Sequence, residues 1–214
     1  MQSNPKDIKT AVKRAEFTYP VMESFYTLQG EGKYQGHAAY FIRLGGCDVG
    51  CVWCDVKESW DANAHPQLAV EELLHHVLAS KTNRVVITGG EPCMYDLHAL
   101  CNVLRAHGLH IHLETSGAHE IKGQFDWVTL SPKKFKAPIA SAYAKADELK
   151  IIIFNKHDFE WAKEHQALVN VATALYLQTE WEKRDSNYTL IIDFIKANPA
   201  WHLSIQTHKY LNIP

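Results

Sequence analysis

Three cysteines carry the most pointed chemistry in this chain. Cys47, Cys51 and Cys54 fall at C-x3-C-x2-C spacing within Arg43-Leu44-Gly45-Gly46-Cys47-Asp48-Val49-Gly50-Cys51-Val52-Trp53-Cys54. The stretch is a glycine-punctuated loop leaving the apolar run Ala39 to Leu44, which reads as a strand. Such a loop can turn three thiolates inward. Thiolates are soft ligands for zinc or iron–sulfur clusters, and a closed zinc site or an ordinary cubane takes four protein ligands. Only three cysteines are offered here, and His37 and His65 lie outside the tight spacing. The expectation is a 4Fe-4S cubane with one iron left open, with a zinc site and a disulfide pair as the competing readings.

Further on, Thr88-Gly89-Gly90-Glu91-Pro92 leaves backbone groups free to approach a ligand, because glycine lacks the Cβ that would stand in the way. C-x3-C-x2-C followed by Gly89-Gly90-Glu91-Pro92 resembles the pattern of the radical S-adenosylmethionine (radical SAM) enzymes. The resemblance implies that the three cysteines hold a 4Fe-4S cluster. It also implies that the open iron is chelated by the amino and carboxylate groups of S-adenosylmethionine, with the glycine motif against the amino group.

The elements that must position these groups follow an alternating pattern. Apolar, β-rich runs lie at Ala39 to Leu44, Val85 to Thr88, Leu109 to Glu114, Trp127 to Ser131, Glu148 to Phe154 and Ala174 to Gln178. Helical spacing of apolar residues marks Leu68 to Leu78, Leu97 to His107, Phe159 to Val169 and Asn187 to Ala197. Strand-then-helix repetition predicts parallel strands, either in an open doubly wound sheet or in a barrel. The radical SAM resemblance favours an α/β fold of the partial (βα)6 TIM-like barrel type. In either topology ligands collect at the carboxyl ends of the strands. Polar groups follow each predicted strand there: the cysteine loop, Gly89 to Glu91, Glu114 to Gly117, Ser131-Pro132-Lys133, Asn155 with Lys156, and Gln178 to Glu180. An earlier strand, Val21 to Thr27, runs into Leu28-Gln29-Gly30-Glu31-Gly32, a sharp backbone bend. His110, His112 and Glu114 alternate on one strand face, which suits a polar barrel interior with Glu114 near the ligands.

Composition narrows the class. With 214 residues, 46% of them hydrophobic, the chain suffices for one well-buried domain, expected over residues 21–214 behind a polar tail at 1–20. A net charge of -2 gives no basic footprint for nucleic acid. Five cysteines clustered three to two are no disulfide framework, and no apolar run approaches membrane-spanning length. No signal peptide is read at the start, so a cytoplasmic protein acting on a small molecule is expected. The end of the chain, Trp201 to Pro214, is apolar and aromatic, as a docked tail would be.

Taken together, Leu28 to Gly32, Phe41-Ile42-Arg43, the cysteine loop, Thr88 to Pro92, Glu114 to Gly117, Ser131-Pro132-Lys133 and Gln206 to Pro214 resemble the 7-carboxy-7-deazaguanine synthase family. The resemblance implies conversion of 6-carboxy-5,6,7,8-tetrahydropterin to 7-carboxy-7-deazaguanine with loss of ammonia, toward queuosine and other deazapurines. It implies a homodimer fed by an electron donor such as flavodoxin, with no nucleic acid or membrane partner. Carried over by position, Cys47, Cys51 and Cys54 ligate the cluster. S-adenosylmethionine is held around Gly90, Ser131, Pro132, Lys133 and Gln178. The pterin is held by Leu28, Gln29, Gly30, Arg43, Thr88 and the terminal carboxylate of Pro214. The family usually has threonine or serine two residues after the third cysteine as a magnesium ligand; Val56 stands there, so a weak or absent Mg2+ requirement is expected. Another radical SAM activity, such as a glycyl-radical activase, is the alternative.

Overall fold

The computed structural model describes residues 17–214; the first sixteen residues of the expected polar tail lie outside that range. The chain builds one nine-stranded sheet in the spatial order β3-β1-β2-β4-β5-β6-β7-β8-β9. A long first strand, β1 (Thr18–Leu28), pairs antiparallel with both β2 (Ala38–Leu44) and the short β3 (Gln67–Ala69). From β2 onward every pairing is parallel, through β4 (Arg84–Gly89), β5 (His110–Thr115), β6 (Trp127–Leu130), β7 (Glu148–Ile153) and β8 (Ala174–Thr179) to β9 (Trp201–Ser204). The two edge strands do not pair with one another, so the barrel stays open.

Six of these parallel strands are the six expected from sequence, within one or two residues at their ends. The seventh, β9, lies in the C-terminal stretch read only as a docked tail. β1 begins at Thr18, ahead of the expected boundary after residue 20, because Thr18 to Pro20 pair with β3. Helices α1 (Val70–Ala79), α2 (His98–Ala106), α4 (Asp158–Gln166) and α5 (Arg184–Ala197) match the four helical segments, and two short helices, α3 (Ala140–Ala144) and α6 (Thr207–Leu211), are added. No described helix is long and apolar enough to cross a membrane.

The parallel strands are buried, hence their near-continuous apolar sequence. Ile87, Ile111, Leu113, Leu130, Leu149 and Ile151 are fully buried, together with Leu73, Leu100 and Leu104 from α1 and α2. This core fixes the height at which each strand releases its C-terminal loop.

Register then joins the first two of those loops. Leu44 of β2 lies opposite Gly89 of β4, and the Leu44 carbonyl accepts the Gly90 N–H at 3.0 Å. The Gly46 carbonyl accepts the Glu91 N–H at 2.9 Å. A Cβ on Gly89 would come within 2.4 Å of the Leu44 carbonyl oxygen, and one on Gly90 within 2.4 Å of the Gly46 oxygen. Both contacts are with backbone, which cannot swing aside. Gly89→Ala is expected to lower stability by about 1–3 kcal/mol through overpacking, read as the shift in a denaturant unfolding curve; an unchanged midpoint would contradict this close approach.

Candidate active site

A cavity of about 300 Å3 opens among the C-terminal strand ends and their loops. The three thiols of Cys47, Cys51 and Cys54 line one side with Gly89 and Gly90, and Val49 and Ala118 pack against the cysteines. Burial raises the Cys47 thiol above its ordinary range and pushes Cys51 up to about 11. Among the described residues, no three His, Cys, Asp or Glu side chains gather around a point that would take a single metal ion. The donor set is thus three sulfurs in a shielded loop, soft ligands of the kind iron–sulfur clusters take.

Glu91 fastens this loop system from beneath. Its carboxylate is 1% exposed and accepts from Thr115 Oγ1 at 2.6 Å, from the Cys93 N–H at 3.0 Å, and from the Ser116 N–H at 2.8 Å and Ser116 Oγ. The loops after β4 and β5 are therefore held at one carboxylate, whose own backbone is bonded to the cysteine loop.

The opposite wall is built on β7. Lys150 is buried, and its ammonium donates to Glu31 at 2.5 Å and to Glu114 at 2.9 Å. Glu31 Oε1 also accepts from Gln178 and Gln206, each at 3.0 Å, while Ser204 donates to Gln178 Oε1 at 2.7 Å. Burial alone would raise the Glu31 carboxyl, but the Lys150 charge and hydrogen bond override it and hold the group at about 2. Burial would in turn lower the Lys150 ammonium; Glu114 and Glu31 keep it charged, above the usual lysine range.

Between these walls lie the remaining groups. Arg43 lines the cavity with its Nε bonded to Glu23 at 2.6 Å. Lys133 donates to the Ser131 carbonyl at 2.7 Å and to its hydroxyl at 2.6 Å. Burial, with Lys150 nearby, lowers the Lys133 ammonium. The chain end closes one flank: Thr27 Oγ1 donates to a Pro214 oxygen at 3.2 Å, Thr207 donates twice to the Gly30 carbonyl, and Lys209 pairs with Asp55 at 2.9 Å.

Residues 41–164 match the Radical SAM superfamily. The 7-carboxy-7-deazaguanine synthase of Flavobacterium psychrophilum is 51% identical over 209 residues, covering 98% of this chain and 99% of that protein. That of Synechocystis sp. is 51% identical over 196 residues, covering 92% and 94%. This chain belongs to the 7-carboxy-7-deazaguanine synthase family of radical SAM enzymes. The fold agrees: the crystal structure of QueE from Escherichia coli matches with a TM-score of 0.81 at 33% identity, over 88% of this chain and 93% of that one. Membership implies a 4Fe-4S cluster and S-adenosylmethionine, which the three-sulfur loop beside the Gly90 backbone fits.

The cavity of this family member gathers Leu28, Gln29, Gly30, Arg43, Thr88, Gly90, Ser131, Lys133, Gln178 and Pro214 with the three cysteines. Pro132 does not line it; it faces a neighbouring cavity with Val52, Phe135 and Trp161. Asn155, expected at the end of β7, also lies in that neighbouring space: its side-chain oxygen accepts the His157 N–H, and the Asp158 carboxylate accepts the Asn155 N–H, in the turn ahead of α4. Lys150 and Ile152 represent β7 instead. Of the alternating trio, Glu114 reaches the cavity, His112 is buried beside Arg84 and Tyr34, and His110 is exposed at the strand start. Sequence reasoning missed Lys150, Gln206, His208 and the aromatic walls of Phe25, Trp53 and Trp181. A lysine inside the apolar strand Glu148–Ile153 was the available signal, since a buried charge requires partners.

Lys150→Met leaves two carboxylates uncompensated and is expected to destabilise the fold by about 3–5 kcal/mol, measured by chemical denaturation. Glu31 binds fewer protons folded than unfolded between pH 4.5 and about 2. Its contribution is therefore present above 4.5 and lost as pH falls toward 2. Glu31→Gln should flatten the acid limb of stability there; an unaltered acid limb would contradict the ion pair.

Proposed function

We propose that the chain converts 6-carboxy-5,6,7,8-tetrahydropterin to 7-carboxy-7-deazaguanine with release of ammonia, a step toward queuosine and other 7-deazapurines. The observation that carries this reading is that one cavity gathers the three thiols, the glycine loop, Arg43, Thr88, the Leu28–Gly30 backbone and Pro214. Cys47, Cys51 and Cys54 would ligate the cluster. Gly90, Ser131 and Lys133 would hold S-adenosylmethionine, with Pro132 shaping the turn and Gln178 on the adjoining wall. When bound, this pair supplies one-electron cleavage of a sulfonium and so a carbon radical able to remove hydrogen.

The chain's own residues bind and orient. Arg43 offers the pterin carboxylate a planar donor group, and Glu23 fixes that guanidinium through Nε. Leu28, Gln29, Gly30, Thr88 and Pro214 would hold the pterin. Phe25, Phe41, Trp53 and Trp181 give the cavity apolar walls that exclude water during radical chemistry. The protein supplies orientation and a closed site, while the bond-breaking belongs to the cofactors. We read it as a cytoplasmic homodimer taking electrons from a donor such as flavodoxin.

Magnesium does not fit as the family pattern implies. Val56 lines the cavity without an oxygen to offer, and the neighbouring Asp55 carboxylate is paired with Lys209 at 2.9 Å. Turnover is expected to persist when Mg2+ is chelated; collapse of turnover, restored by added Mg2+, would contradict this.

The defining experiment is anaerobic incubation with dithionite, S-adenosylmethionine and the carboxypterin, followed by mass detection of the deazaguanine. Removing Ile213 and Pro214 should lower turnover roughly 10- to 100-fold, the loss of a hydrogen bond to a charged group, while iron content stays unchanged. Full turnover without those two residues would remove Pro214 from the site and favour another radical SAM activity.

A further inference from the structure

The groups described so far leave one buried acid unused. Glu148, the first residue of β7, is 2% exposed and lies outside the cavity. Among the described residues it makes no ion pair within 4 Å; the charged side chains that act on it are Glu114 from β5 and Lys150 from its own strand. Its Oε2 accepts the backbone N–H of Lys33 at 3.0 Å and the Trp127 indole N–H at 3.3 Å. Its Oε1 lies against Gly32, where a Cβ would come within 2.2 Å, and Gly32 has a φ of +64°. The same glycine donates its N–H to Ser204 at 3.0 Å.

We propose that Glu148 is a positioning residue for substrate: it anchors the loop Gln29–Lys33 from below, so that Gln29, Gly30 and Glu31 face the cavity at a fixed height. This rests on the reading of that cavity as the pterin site. β7 grips the loop at two levels. Lys150, two residues on and on the same face of the strand, holds the Glu31 side chain, and Glu148 holds the backbone at Lys33. The C-terminal segment grips it from the other side through Ser204, Gln206 and Thr207. Without the Glu148 oxygen, the Lys33 N–H and the Trp127 indole lose their acceptor, and the loop must shift to find another. Burial, aided by Glu114, pushes the carboxyl up to about 7. Both donors share Oε2, an oxygen that accepts whether or not the other oxygen carries a proton, so an amide in its place serves equally.

The test compares Glu148→Leu with Glu148→Gln by amide hydrogen exchange over residues 29–36 in the protein without substrate, and then by KM for the carboxypterin. Glu148→Leu should speed exchange in that loop and raise KM roughly tenfold or more, while reductive cleavage of S-adenosylmethionine without pterin is unchanged. Glu148→Gln should restore both exchange and KM. If the leucine variant does not fold, Gly32→Ala, which presses on Oε1 from the loop side, must show the same two changes. Unaltered loop exchange, an unaltered KM, or a glutamine variant as impaired as the leucine one would overturn the proposal. A parent protein that makes no deazaguanine would defeat the functional reading, while the exchange comparison would still decide the anchoring.

Discussion

The contact between Glu31 and Lys150 is the constraint on which the site's geometry depends. It joins a loop near the start of the chain to the middle of a strand 119 positions later. Around the same carboxylate it collects Gln178 from β8 and Gln206 from the C-terminal segment. A lysine so buried is tolerable only with opposite charge and good hydrogen bonds, and Glu31 and Glu114 provide both. Satisfying that one ammonium therefore draws the Gln29–Gly32 loop, β5, β7 and the C-terminal segment to one height.

A second assembly, built on backbone hydrogen bonds and the Glu91 carboxylate, holds the opposite wall. The cysteine loop has no helix or strand of its own and takes its position from neighbours: the Leu44 and Gly46 carbonyls bonded to Gly90 and Glu91, and the Glu91 carboxylate bonded to the loop after β5. Here glycine acts by absence, since backbone meets backbone where a side chain would stand. The two assemblies share the parallel sheet as their base, and the cavity is the space left between them.

Much of this was legible in the sequence. Six apolar runs and four helical segments were found nearly at their observed bounds, because strands buried in a parallel sheet are largely apolar. The thiol spacing and the glycine motif carry their chemistry in a few adjacent positions. What escaped was whatever depends on distant partners. β9, only Trp201–Ser204, is too short to show a pattern, and exists because β8 offers an edge. Asn155 looked like a strand-end ligand, but the turn between β7 and α4 claims its side chain, which accepts the His157 N–H. Lys150 hid in an apolar run, and Glu31 hid in a turn whose glycines drew the attention. The lysine signals a partner without saying which, until the fold brings the two to 2.5 Å.

If Cys47, Cys51 and Cys54 are the cluster's only ligands among the described residues, one iron would be left open for S-adenosylmethionine. The most direct measurement is iron quantification and electron paramagnetic resonance on anaerobically reconstituted, reduced protein, before and after adding S-adenosylmethionine. The expected result is about four irons per chain and a cluster signal that changes when the sulfonium compound is added. Iron-free protein, a bound zinc, or a cluster signal indifferent to that addition would contradict it.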